Sequence, residues 1–309
     1  MLWGNIELQD NAKHELLAVS ADSLVEGTHF LANTSAEDIA YKSLAVNLSD
    51  MAAMGAEPVS VALALSCPTI NDQWQQAFMS SFTQHCLDYS LSLTDSTISA
   101  GHLNISVQII GRVPAQQALR RGAAKPGDGI YVSGTLGDAG LGLHIATGKR
   151  TVPNDQQHNY LLSRLHRPTP RTQLGLALRG VSQCAIDISD GLAGDLEHIC
   201  KASEVGMHIE TQRLPLSTAL VKNCSHEQAL HNALSAGDDY ELCFTAPQNA
   251  HNQIMTISEQ LQLRLTWIGC VEKHLGLHFR DDQDRIISAP AAYQHFRSKT
   301  SGCVPEPNP

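Results

Sequence analysis

Three aspartates, Asp187, Asp190 and Asp195, fall within the stretch CAIDISDGLAGDL among isoleucine, leucine and glycine. Alternation along AIDIS puts Ile186 and Ile188 on one face of a strand and Asp187 and Ser189 on the other. Asp190-Gly191 then ends the strand, and LAGDLEHICKA continues as an amphipathic helix. Asp187 and Asp190 are expected at this strand-to-helix corner, with simple N-capping as the other reading of Asp190. Asp195 is expected as an exposed helix residue. The pattern recurs: Asp22 on a strand, Asp50 near the end of a largely apolar helix, Asp95 in a TDSTIS loop, and Asp238 with Asp239 in SAGDDYELCF. Two carboxylates ~4 Å apart repel by about 4 kcal/mol at an effective dielectric of ~20, a repulsion that divalent cations remove. Carboxylates without a Cys or His cluster are hard oxygen ligands and suit magnesium better than zinc.

The elements that must position these acids follow from periodicity. In LLAVSADSL, residues 16–24, Leu17, Val19 and Ala21 share one face while Ser20 and Asp22 share the other. SAEDIAYKSLAVNLSDMAAMGAEP opens with Ser35 and Asp38 as a capping box and stops at Gly55 before Pro58, predicting one long helix. Strands are predicted at VSVALALSC, LNISVQIIGRV and GIYVSG, and a helix over 72–87. Such alternation indicates an α/β or α+β fold. The Gly-, Lys- and Pro-rich segment RRGAAKPGDGIYVSGTLGDAGLGL places a junction near residue 133, giving domains 1–133 and 134–297. Pro-rich SKTSGCVPEPNP, 298–309, reads as a disordered tail. Gly134, Gly137, Gly140 and Gly142 read as a structural domain-linking turn, with close backbone approach to phosphate as the other reading.

With 309 residues, 42% hydrophobic and 17% charged, the chain has the composition of an ordinary globular protein with room for two cores. No apolar run approaches the roughly 20 residues of a membrane span, and no secretory signal opens the chain, so a cytoplasmic location is expected. Eight cysteines without a CxxC pair read as reduced core residues. A formal charge of −10 argues against nucleic acid as a partner, and anionic ligands would need local cations or metal ions.

The blocks SADSLVEGTHF, YKSLAVNLSDMAAMGAEP, ALRRGAAKPGDGIYVSGTLGDAGLGL, RPTPR, AIDISDGLAGDLEHI, AGDDYELCF and YQHF run in this order from about Val19 to Phe296. As a set they resemble the thiamine-monophosphate kinase family, in the superfamily of aminoimidazole ribonucleotide synthetase and selenophosphate synthetase. The resemblance implies a two-domain, PurM-like α/β (α+β) architecture and a homodimer formed through the sheet of the N-terminal domain. It implies transfer of the γ-phosphoryl group of ATP to the phosphate of thiamine monophosphate. No Walker GxxxxGK[ST] occurs, and the family holds ATP through several Mg2+ ions. On matching positions, Ser20, Asp22, Asp50, Asp95, Asp187 and Asp190 are implied as metal ligands, directly or through water. Asp95, Arg121 and Ser189 are implied to meet ATP, and His29, Asp238 and Tyr293 to meet thiamine monophosphate; Asp187, Asp50 and Arg121 would carry the catalysis. Arg121 has a solvated basic turn as its other reading, and Tyr293 a core aromatic. The acceptor phosphate is already ionised near neutral pH, so positioning and charge neutralisation replace a general base.

Three departures bear on the metal and nucleotide side. Gly4-Asn5-Ile6 stands where the family has Gly-Asp-Asp, and an N-terminal segment is expected to be missing. LTDSTIS replaces Gly-Gly-Asp-Thr-Thr-Arg-Ser, keeping Asp95 alone of its key residues. Ala21 replaces a threonine beside Asp22. They leave open a catalytically impaired homologue that binds thiamine phosphates without turnover, and a sister ligase or synthetase of the same superfamily.

Overall fold

The computed structural model describes residues 4–7, 15–69 and 71–287; Tyr293 and the segment 298–309 lie outside them. The N-terminal half contains β1 (Gly4–Glu7), β2 (Glu15–Val25), α1 (Ala36–Ala53), β3 (Glu57–Cys67), α2 (Asp72–Asp88), β4 (Ser92–Ala100) and β5 (Asn104–Pro114). Its strands form one sheet in the order β1-β2-β5-β3-β4. The polar pair on β2 sits on the core face: Leu16, Ala18, Ser20 and Leu24 are buried there, and Asp22 is half-buried between them. Helices α1 and α2 cover this face, their Leu44, Leu48, Met51, Phe78 and Phe82 packing on Ile105, Val107 and Ile109 of β5.

Ser35 caps α1 by accepting the Asp38 N–H (3.1 Å), while the Asp38 carboxylate turns outward to Arg167 (2.5 Å). The helix is buried on nearly every side, including Lys42, Ser43, Asn47, Ser49 and Asp50. That burial has two sources, because the last turn of α1 leaves the first core and enters another, where Ala52 and Ala53 pack with Leu119, Leu174, Leu178 and Phe244.

The second half is built from β6 (Gly129–Ser133), α3 (Asp138–Ala146), α4 (Asp155–His166), α5 (Thr172–Ala177), β7 (Cys184–Asp187), α6 (Leu192–Ser203), β8 (Gly206–Glu210), α7 (Thr218–Asn223), α8 (His226–Ser235), β9 (Leu242–Ala246), α9 (His251–Gln260), β10 (Leu265–Glu272), β11 (Gly276–Arg280) and β12 (Ile286–Ile287). The strand order is β12-β11-β8-β10-β6-β9-β7. Strands β6, β9 and β7 are buried on both faces, whereas β8, β10 and β11 are buried mainly on the face toward α6. β6 pairs with β9 and β10, so the strand that the sequence reading leaves on the N-terminal side of residue 133 lies in the second sheet.

One further expectation changes, and the structural reading of the glycines after β6 is given its physical basis. Asp95 lies on β4, an edge strand paired in parallel with β3, and not in a loop. Its strand reads poorly because nearly every residue is exposed, so no apolar alternation marks it. The glycines after β6 are a packing device: a Cβ on Gly134 would stand 2.2 Å from the Glu241 carboxylate, and one on Gly142 would stand 2.3 Å from the Leu161 carbonyl oxygen.

Candidate active site

Acid gathers where the two halves meet. β2 supplies Ser20 and Asp22, α1 supplies Ser49 and Asp50, and the end of β7 with the following turn supplies Asp187, Ser189 and Asp190. The Ser20 hydroxyl donates to Asp50 Oδ2, and the Ser49 hydroxyl donates to Asp187 Oδ2 at 2.9 Å. Two successive residues of one helix thus bind one sheet each. Asp195, expected on a solvated helix face, is buried and folds back under the turn, accepting the N–H groups of Ser189 (3.1 Å) and Asp190 (3.2 Å). It lies in the first turn of α6, and the glycine-led turn before that helix needs an acceptor inside the protein.

These carboxylates are held away from water and near one another. Burial, followed by the negative charges of Asp187 and Asp22, pushes Asp50 well above the carboxylate range. Burial raises Asp22, with Asp190 adding to the effect, and raises Asp187 to about 6. Asp195 is driven well up by burial and by Asp187 and Asp190. Arg121, half-buried in the short turn Arg121–Ala123, opposes the rise at Asp187 and Asp195. Its backbone is anchored to the acid-bearing half by the Ser203 hydroxyl, which donates to the Arg121 carbonyl at 2.8 Å. Buried carboxylates and a hydroxyl, short of cations, form an all-oxygen donor set that fits Mg2+. His198, which sequence reasoning passes over, adds a nitrogen at the rim, with ligand atoms of Asp190, Asp195 and His198 within 4.8 Å of one another.

A second group borders the first. Lys42, buried in α1, places Nζ 3.1 Å from Asp238 Oδ2 and donates to the His29 carbonyl at 3.3 Å. One ammonium therefore joins the two residues assigned to the thiamine side. His29 Nδ1 accepts the Val25 N–H at 3.0 Å, leaving the proton of the neutral ring on Nε2. Tyr240 comes from the C-terminal half yet packs in the N-terminal core. Burial raises its phenol, helped by Asp238, Asp22 and Asp187, so it stands between the two groups.

The backbone carrying Asp238 is unusual. Gly237, Asp238 and Tyr240 have φ of 74°, 61° and 49°. The segment pairs with the β7 corner, the N–H of Asp238 donating to Ser189 O (2.9 Å) and that of Tyr240 to Ile188 O (2.9 Å). A Cβ on Gly237 would stand 2.4 Å from Ser189 O, so glycine is required by both conformation and space. Below, Glu241 is buried and receives Arg171 Nε (2.6 Å) and Nη2 (2.5 Å), Arg164 Nη2 (3.0 Å) and Ser133 Oγ (2.6 Å). The RPTPR block, for which the sequence offers no role, thereby holds the Asp238 segment.

Of the residues singled out from the sequence, Ser20, Asp22, Asp50, Asp187, Asp190, Ser189 and Arg121 lie in or beside the acid group, and His29 with Asp238 beside Lys42. Asp95 does not join them: β4 is separated from β2 by β3 and β5, and Asp95 is exposed. Two departures also lie apart from the acids. Ala21 is exposed on the face of β2 opposite Asp22, and Thr94 donates its hydroxyl to Val61 O (3.1 Å). Asn5 pairs in register with Ala18, two positions before Ser20.

Comparison with known proteins places this arrangement in a lineage. Residues 7–113 match the AIR synthase related protein, N-terminal domain, and residues 125–281 its C-terminal domain. The thiamine-monophosphate kinase of Salmonella typhimurium is 42% identical over 283 residues, 91% of this chain and 87% of that protein. Among solved structures, the thiamine-monophosphate kinase of Stenotrophomonas maltophilia K279a is 43% identical with a TM-score of 0.83, covering 88% of this chain and 87% of that one. AaThiL complexed with AMPPCP and TMP has a TM-score of 0.84 at 28% identity, covering 95% and 90%.

Proposed function

The chain belongs to the thiamine-monophosphate kinase family, and we propose that it moves the γ-phosphoryl group of ATP onto the phosphate of thiamine monophosphate, giving thiamine diphosphate and ADP. The observation that carries this reading is the convergence of Asp22, Asp50, Asp187 and Asp190 from both halves beside the Lys42–Asp238–His29 group. The relative solved with AMPPCP and TMP supports the substrate pair.

Mg2+ bound by Asp22, Asp50, Asp187 and Asp190 would neutralise the triphosphate and the acceptor phosphate in that acidic corner. Ser20 and Ser49 hold the carboxylates of Asp50 and Asp187 in place, Arg121 adds positive charge, and Ser189 lies at the ATP side of the turn. Asp238 and His29 meet the thiamine moiety, oriented by Lys42. No residue has to take a proton, since the acceptor oxygen is ionised.

Tyr293 keeps its assignment to thiamine monophosphate within this reading, whereas Asp95, exposed on the edge strand β4 away from the other acids, is left out of the metal set. The outer face of the N-terminal sheet, with Leu17, Val19 and Ile110 half-buried and Val25 exposed, supports a homodimer through that half. The division between domains lies in the link 114–124, between β5 and β6. No helix among the described residues is long and apolar enough to cross a membrane, and a cytoplasmic site of action belongs to the same proposal.

The test is chromatographic detection of thiamine diphosphate after incubating the chain with ATP, Mg2+ and thiamine monophosphate. Asp187→Asn and Asp50→Asn are each expected to lower turnover by roughly a thousandfold while circular dichroism stays unchanged. Turnover near wild type in either variant removes that residue from the metal set.

A further inference from the structure

The second sheet carries a different set of ligating side chains on the face turned away from α6. On β8, Met207 and Ile209 enter the core while His208 and Glu210 face the other way. β10 does the same with Val271 inward and Cys270 and Glu272 outward. Register aligns these residues across three strands: His278 of β11 pairs with His208 of β8, and His208 pairs with Cys270 of β10. Side chains paired in this way stand about 5 Å apart on a common face. Glu272 follows two residues after Cys270 and pairs with Gly206, so no side chain at that β8 position separates it from His208.

The resulting contacts are close. One ligand atom each from His208, Cys270 and Glu272 lies within 4.8 Å of the others, and His208 Nδ1 is 4.0 Å from Glu272 Oε1. All three residues are half-buried, and His208 Nε2 is buried without a hydrogen-bond partner.

We propose that His208, Cys270 and Glu272 form a binding site for a transition-metal dication, zinc foremost, that pins β8 to β10 and is separate from the all-oxygen acid group. Mixed nitrogen, sulfur and oxygen donors select zinc over magnesium, because a thiolate is a soft ligand. Tetrahedral zinc with bonds of ~2.0–2.3 Å sets its ligand atoms roughly 3.5 Å apart, which side-chain rotation can reach from the present spacing. On binding, the Cys270 S–H proton passes to solvent. Thiolate and carboxylate then balance the two charges of the ion, and water or His278 takes the fourth position.

Cobalt(II) distinguishes this site, since thiolate coordination gives a charge-transfer absorption that oxygen ligands do not. The metal-stripped full chain is titrated with Co2+ and then Zn2+ in excess Mg2+. One equivalent with the thiolate band, displaced by Zn2+, is expected. Cys270→Ser should abolish the band, and His208→Gln and Glu272→Gln should weaken Zn2+ binding by about 100-fold, with thiamine diphosphate formation in Mg2+ unchanged. A band that persists in Cys270→Ser, Zn2+ affinity unchanged in both other variants, or no thiolate band in the wild type would each overturn the site.

Discussion

At the residue scale the acid group holds its protons more tightly than the same carboxylates would in water. Below the ordinary carboxylate range, folded and unfolded chains are both protonated at these positions. As pH climbs toward about 6, the value to which Asp187 is raised, the unfolded chain loses protons that the folded cluster keeps. Metal-free stability therefore falls through that window, and the upward shifts of Asp50 and Asp195 act in the same direction. Mg2+ removes the repulsion, so its effect on the melting temperature should be larger at about pH 7.5 than at about pH 5. Differential scanning fluorimetry at the two pH values checks this, and an equal shift at both would contradict it. Lys42 invites a second test. Lys42→Met keeps the stem but leaves Asp238 without its cation, and should raise KM for thiamine monophosphate about tenfold with KM for ATP little changed, as steady-state kinetics would read. The acids were legible because the same residue type recurs beside apolar runs. Lys42 and Asp195 were not: an amphipathic reading sends both to solvent, whereas α1 is enclosed by two cores and Asp195 must satisfy the turn above it. The available signal was a lone lysine in a helix otherwise made mostly of alanine, leucine and small polar residues.

At the scale of elements, the strands and helices with clean periodicity appear where the sequence puts them, and β4 marks the limit. An exposed edge strand is fixed by hydrogen bonds to its neighbour, which leave no trace in its own hydropathy. The same holds for the turn carrying Asp238, whose left-handed residues are imposed by pairing with Ser189 and by the anchor at Glu241. Glu241→Gln would leave Arg164 and Arg171 short of a counter-charge in a buried setting, at a loss of about 3 kcal/mol. In a protein of this size that lowers the melting temperature by roughly 5 °C. Because Asp238 lies three residues away on the same turn, kcat/KM for thiamine monophosphate should fall too. Loss of stability with unchanged kinetics would mean that the arginine network supports the core alone.

For the whole molecule, the governing feature is that one helix belongs to two cores. α1 lines the N-terminal sheet through Leu44, Leu48 and Met51, while Ala52 and Ala53 pack in the C-terminal core. Ser20–Asp50 and Ser49–Asp187 then tie the buried acids to both sheets. A rigid junction follows from the absence of space: a Cβ at Gly175 of α5 would stand 2.3 Å from the Ala52 carbonyl oxygen, a backbone atom that cannot swing aside. Gly175→Ala must therefore push α5 away from α1, displacing the half that carries Asp187 from the half that carries Asp50. Overpacking of this kind costs about 1–3 kcal/mol, a melting-temperature decrease of roughly 1.5–5 °C. Since α1 has no core of its own to retreat to, wild type and variant should each unfold in a single calorimetric transition, and the variant should lose turnover well below its melting temperature. Two separated transitions in the wild type would show that the halves fold independently and that α1 does not couple them.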